Sequence, residues 1–246
     1  MQAFRILLHA IRQVFGNFRQ ALGLLAMPVA IQAVLLASAV LLGANIRGTQ
    51  PGIGPISLML ALMLGAAACV VWFAVRWHRF VLLDESKNLL APPSRAAFWR
   101  YVGTMVLTVI LMIPAMLVTI GVLYAVHQGG IPVLTFIAIL VLSVLLYALT
   151  LVLGTALPGA AVGAHRPIGA AWRALKPAAG TIVLLTIMGL VSYEVIEAML
   201  DMFLAIGLPT SLVVILSAIA YWLSTFIGLS VVTTLWGHFV EGRPLR

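Results

Sequence analysis

Three groups of side chains in this chain have the types and spacing that chemistry requires. Glu194, Glu197 and Asp201 lie within about 60° of one another on a helical projection, so one stripe carries all three carboxylates. At a rise of about 1.5 Å per residue, Glu194 sits about 20 Å and Asp201 about 30 Å beyond Thr181. Glu194 then lies at hydrocarbon depth, where an ionisable group is costly unless it is protonated or faces a partner or water. The stripe suits proton or cation binding; its plainer reading is a helix end whose carboxylates reach water, with Arg47 as the candidate ion-pair partner. His78, His165 and His238 each close an apolar run. Three converging imidazoles would suit zinc or haem iron, while separate ones would serve as interface residues beside Trp and Phe. No HExxH pattern accompanies them. The third group is basic and aromatic: Arg19, Arg76, Arg79, Arg100, Arg166, Arg173 and Lys176, with Trp99 and Trp172. Guanidinium forks match phosphate oxygens and Trp favours headgroup depth, so this group reads as a lipid-headgroup site or as general headgroup anchoring.

The elements that position these residues follow from composition. Of 246 residues, 63% are hydrophobic and 8% charged. Soluble domains carry about 25% charge, so a water-soluble globular protein is excluded. The single Cys69 rules out a disulfide framework and a CxxC redox site. Runs without charge are long enough for about 20 helical residues each, the length that crosses a hydrocarbon core. They predict spans over roughly 21–43, 56–76, 101–126, 133–157, 180–200 and 211–236. The stretch His127-Gln-Gly-Gly-Ile-Pro132 divides the third from the fourth. None of the runs alternates apolar with polar residues, which excludes an outer-membrane barrel. The fold class expected is an all-α polytopic membrane bundle of six transmembrane helices, forming one integral domain over 1–246.

With six spans, 13 of the 14 Lys and Arg fall on the side that holds both termini, and Arg47 alone falls on the other. The positive-inside rule reads that as cytoplasmic termini in a bacterial inner membrane. The net charge of +8 then describes one leaflet face, with anionic phospholipids as partners and no nucleic acid. Residues 1–20 have an amphipathic period. Phe4, Leu7, Leu8, Ile11, Val14, Phe15 and Phe18 recur at helical spacing, with Arg5, Arg12 and Arg19 opposite, and predict a helix lying in the headgroup plane.

An aromatic–Arg pair precedes each odd-numbered span: Phe18-Arg19, Trp99-Arg100 and Trp172-Arg173. The even-numbered spans end on Trp77-His78-Arg79-Phe80-Val81, His165-Arg166 and Trp236-Gly237-His238-Phe239-Val240. The pattern predicts three parallel hairpin units, about 1–83, 84–165 and 166–246, each opening with an interfacial helix on the cytoplasmic side. Shared use of Trp, Arg and His as interface anchors would give similar boundaries without duplication.

In layout and length, and in the small-residue stretch Pro158 to Arg173, the chain resembles the bacterial six-span group of YciC-like proteins and the membrane domain fused to some glycerophosphodiester phosphodiesterases. The resemblance implies an inner-membrane protein and carries over no catalytic residue. No nucleotide loop and no nucleophile elbow is present in the sequence. The expectation is a non-enzymatic protein, without a cofactor but with bound phospholipid. It would act by packing against lipids, other inner-membrane proteins or its own copies, as an accessory or assembly subunit or in handling envelope lipids. A small proton-coupled transporter using Glu194 and its neighbours is the alternative.

Overall fold

The computed structural model describes residues 2–45, 52–85 and 90–245. They form an all-α bundle, and no strand occurs among the described residues. In chain order the helices are α1 (Gln2–Gly16), α2 (Phe18–Asn45), α3 (Ile53–Leu83), α4 (Arg95–Gln128), α5 (Pro132–Gly154), α6 (Ala156–Val162), α7 (Pro167–Leu175), α8 (Ala179–Ala205) and α9 (Thr210–Leu235). A 3₁₀ turn (Lys176–Ala178) precedes α8, and a π-turn (Trp236–Val240) follows α9. Six helical stretches are long and apolar enough to cross a membrane, so this is a multi-pass membrane protein. Arg47, the proposed partner of the carboxylate stripe, and Lys87 lie outside the described residues.

The helices start and stop where local chemistry dictates. Ser94 caps α4 by accepting from the Ala97 N–H at 3.3 Å, satisfying one orphan donor of the first turn. Pro132 opens α5 at a position where a missing N–H costs nothing. The fourth span breaks at Thr155. Pro158 cannot donate to the carbonyl one turn back, and the chain restarts as α6, ending on Gly163 at φ 86°. Pro28 and Pro114, by contrast, sit inside uninterrupted helices.

Burial is concentrated at one end of the bundle. Gln2 reaches His238 at 3.2 Å, so the two termini meet at this end, which is called the terminal end below. The buried part of α3 runs mainly from Val71 to Leu82, that of α9 mainly from Phe226 to Leu235, and that of α8 is Ile182, Leu185 and Thr186. In α5 only Leu153 is buried. Elsewhere Leu60, Val109, Leu117, Phe136 and Ile215 are more than half exposed. In water such apolar surface would drive aggregation; in hydrocarbon it costs nothing.

Hairpins α2–α3, α4–α5 and α8–α9 run out from the terminal end and back. Their returning ends meet there, α3 against both α6 and α9. Phe73, Trp77 and Phe226 interlock edge to face, with centroids 4.5 Å (Phe73–Phe226) and 4.9 Å (Trp77–Phe226) apart. The Trp77 indole N–H donates to Ser230 Oγ at 3.0 Å. A few turns away the Trp236 indole lies flat over Gly159, where a β-carbon would collide with the ring.

Helix α1 differs from the sequence expectation in one respect. Ala3, Ile6, Ala10 and Val14 are buried, the first three in one cluster with Leu175, Ile182, Leu185, Val231 and Leu235. Phe4 and Phe15 remain exposed. The helix therefore carries two apolar stripes, one seated on α8 and α9 and one left for the membrane. Of the three short helices expected ahead of the odd-numbered spans, α1 and α7 are separate helices among the described residues. In the middle unit Trp99-Arg100 belongs to the first turns of α4, because Ser94 starts that helix ahead of the pair.

The Gly159–Trp236 contact generates a test. Gly159→Val should lower stability by about 1–3 kcal/mol through overpacking. Gly103→Ala, with nothing within 4 Å of the added carbon, should leave it unchanged or raise it by up to about 1 kcal/mol through helix propensity. Unfolding midpoints in mild detergent would check both.

Candidate functional site

The polar and charged groups that the bundle encloses gather at the terminal end. His78 is fully buried between α9 and α4. Thr233 donates its hydroxyl proton to the Leu229 carbonyl, so its oxygen accepts from the His78 Nδ1–H at 2.7 Å. The Nε2 lone pair then faces the Tyr101 hydroxyl at 3.4 Å, with the two rings stacked. Both imidazole nitrogens are occupied by protein groups, which makes His78 a joint between helices. His165 is exposed in the turn after α6, and His238 donates from Nδ1 to the Arg243 carbonyl at 2.9 Å while accepting from Gln2. The three histidines do not come together, and no group of three metal-binding side chains exists among the described residues.

The basic residues divide by role. Arg79 pairs with Glu85 through two nitrogens, one at 2.9 Å, and donates to the Ala161 carbonyl at 2.9 Å. Buried Arg76 approaches the same carboxylate at 3.9 Å. Arg100 lies against Gly163, so Arg79 and Arg100 both sit where the carbonyls of α6 end. Arg173 donates to the Gly169 carbonyl of its own helix, and Arg19, Arg166 and Lys176 are exposed. Trp99 and Trp172, 58% and 50% exposed, project from the same end. The basic residues read as a lipid-headgroup site or as general headgroup anchoring are spread over this end: Arg76 and Arg79 contact Glu85, Arg100 lies against Gly163, and Arg19, Arg166, Arg173 and Lys176 are exposed.

Glu194, Glu197 and Asp201 are exposed on the far half of α8, and Tyr193 lies in hydrogen-bonding reach of Glu197.

Two apolar grooves and one polar cavity open at the terminal end, features that sequence reasoning missed. The first groove, about 280 Å³, lies between α2, α3 and the start of α4. Ile31, Ala68, Cys69 and Trp72 line it, Pro92 and Pro93 wall it, and Arg95 is its one charged group. The second, about 270 Å³, lies between α5, α7 and α8, with Leu149, Val152 and Ile182 along it and Trp172 and Lys176 at its mouth. Each occupies a junction between one hairpin and the next. The polar cavity, about 480 Å³, lies at the third junction, between α1 and the ends of α3 and α9. Residues far apart in sequence build all three, so no local motif announces them.

The Glu85 pair makes a pH prediction. Its hydrogen bond from Arg79, aided by the charges of Arg79 and Arg76, holds the carboxyl below its ordinary value of 4.5, against burial, which acts in the opposite sense. A depressed carboxyl stabilises the fold above 4.5, and the contribution is lost as pH falls from there through the lower folded-state value. Glu85→Gln should therefore unfold earlier than the wild type at neutral pH, and the gap should close on acidification. Unfolding midpoints against pH measure this; a gap independent of pH would contradict it.

In comparisons with known proteins, no family model, no curated protein and no solved structure matches the chain.

Proposed function

We propose that this protein is a non-enzymatic component of a bacterial inner membrane, with its terminal end in the cytoplasm, that works by packing against anionic lipids and other membrane proteins. The observation that carries the reading is the division of the molecule. Enclosed polar groups are used chiefly to join helices, while the outer surface presents apolar helix faces, exposed Trp99 and Trp172, and two grooves with basic mouths. An acyl chain laid in either groove would place its phosphate beside Arg95 or Lys176, the charge match that an anionic phospholipid requires. The resemblance to YciC-like six-span proteins and the descent of the three hairpins from one repeated unit belong to the same proposal. Each hairpin would contribute its returning end to a shared core and leave a lipid-facing junction beside it.

The test is purification in mild detergent followed by quantification of retained phospholipid. The wild type should retain anionic phospholipid. Each neutralising change, Arg95→Gln or Lys176→Gln, should weaken retention about fivefold, as expected for about 1 kcal/mol per basic residue near a charged surface. Glu194→Gln should leave lipid retention unchanged. A lipid-free protein that instead carries pH-driven flux abolished by Glu194→Gln would replace this reading with a proton-coupled transporter.

A further inference from the structure

We propose that the polar cavity at the terminal end binds a phosphate ester bearing a hydroxyl or amine donor. The cavity, about 480 Å³, falls within the range of small-molecule sites. Its walls come from α1, the last turn of α3, the end of α9 with its π-turn, and the segment 243–245 folded back over them. That segment is held in place: Arg243 donates from Nη2 to the Leu82 carbonyl at 2.8 Å and from Nε to Glu241 at 2.6 Å, and its own N–H meets the Gly237 carbonyl at 2.8 Å.

Two buried oxygens on this wall lack a protein partner, Thr234 Oγ1 and Gln13 Oε1. The first departs from the commoner pattern among the helical hydroxyls. Thr108, Thr150, Thr155, Ser192, Ser217 and Thr225 all donate to the carbonyl four residues back, as a helical hydroxyl in an apolar setting does. Thr234 on α9 and Thr186 on α8, 4% and 6% exposed, make no such bond; of these two buried hydroxyls, Thr234 lines the cavity. A buried polar group left without a hydrogen bond is costly, so a partner in the cavity is the economical arrangement. The π-turn widens the helix just beyond it, a deviation found frequently at functional sites.

The lining selects the chemistry. Gln13 Oε1 only accepts, so the ligand must supply an O–H or N–H there; Thr234 can complete that contact in either sense. Arg243 is the one permanently charged lining residue and lies on a strongly basic face, which favours an anion. Glu241 already takes part of its charge, which suits a singly charged phosphate ester over a dianion. A donor and a phosphate joined by a short linker satisfy both ends. A phospholipid headgroup could enter from the membrane and a free ester from the aqueous side. The site stands apart from the two grooves and does not depend on lipid occupying them.

The experiment compares ethanolamine with choline chemistry, which carry the same charge but differ in N–H donors. The 246-residue protein in nonionic detergent is titrated with glycerophosphoethanolamine and with glycerophosphocholine, diesters whose phosphate carries a single negative charge, and binding is followed by calorimetry. The same protein in nanodiscs is then scored by native mass spectrometry for retained phosphatidylethanolamine against phosphatidylcholine. The ethanolamine form should be preferred at least about tenfold in one arm, a difference of about 1.4 kcal/mol. Preference in the soluble arm identifies a free ester, and preference in the nanodisc arm alone identifies the headgroup. Thr234→Val and Gln13→Leu should remove the preference, and Thr234→Ser should keep it. Equal binding of the two forms by the wild type, or no binding in either arm, overturns the proposal without reference to any variant. So does a preference that Thr234→Val and Gln13→Leu leave intact in folded protein.

Discussion

Hydrocarbon offers no hydrogen bonds, and that constraint organises the whole molecule. Every backbone N–H and C=O along the spans must be satisfied within its own helix, which is why all six crossings are helical. The same rule reaches the side chains, where most helical hydroxyls fold onto the carbonyl one turn back. Because lipid covers apolar surface as well as protein does, nothing forces the far halves of the helices together. A protein core is needed chiefly where the chain leaves the oil, and buried residues accordingly concentrate at the terminal end.

At that end the returning helices bring polar groups into contact under low dielectric, where a satisfied hydrogen bond is strong and an orphan is costly. The solutions are specific. His78 joins α9 to α4 through Thr233 and Tyr101, Trp77 joins α3 to α9 through Ser230, and Arg79 joins α3 to α6 through Ala161. Each joint is a side chain whose donor and acceptor atoms are matched one for one across a helix interface. Apolar packing fills the space between them and contributes shape without direction.

The spans were legible in the sequence because hydropathy is additive along a helix and needs no tertiary partner. The boundary at His127–Pro132 was legible from its Gly and Pro residues, which break a helix without any tertiary partner. Helix α1 was half legible. Its period announced amphipathicity, but Ala3 and Ala10 look like neutral filler until Leu175, Ile182 and Leu235 are found opposite them. The spacing of His78, His165 and His238 left open whether the three rings converge or stand apart as interface residues, and the packing of the helices gives them different neighbours. The cavities were not readable. His9, Leu82, Thr234 and Arg243 become neighbours only through the closing of the third hairpin onto the first.

That closing explains why the three junctions between hairpins differ in chemistry. At the first junction the filler is the 90–93 segment, whose Ala91 carbonyl accepts from Trp72 and whose prolines bring only apolar surface. At the second it is α7, short and seated through Ala171 and Leu175. At the third it is α1, fifteen residues long and presenting four different faces around its circumference. Only a helix of that length can seat one stripe on α8 and α9, offer Phe4 and Phe15 to the membrane, hold Arg5 and Arg12 outward, and still turn His9 and Gln13 toward α9. The polar cavity exists because the chain's first helix fills the gap that its last span leaves.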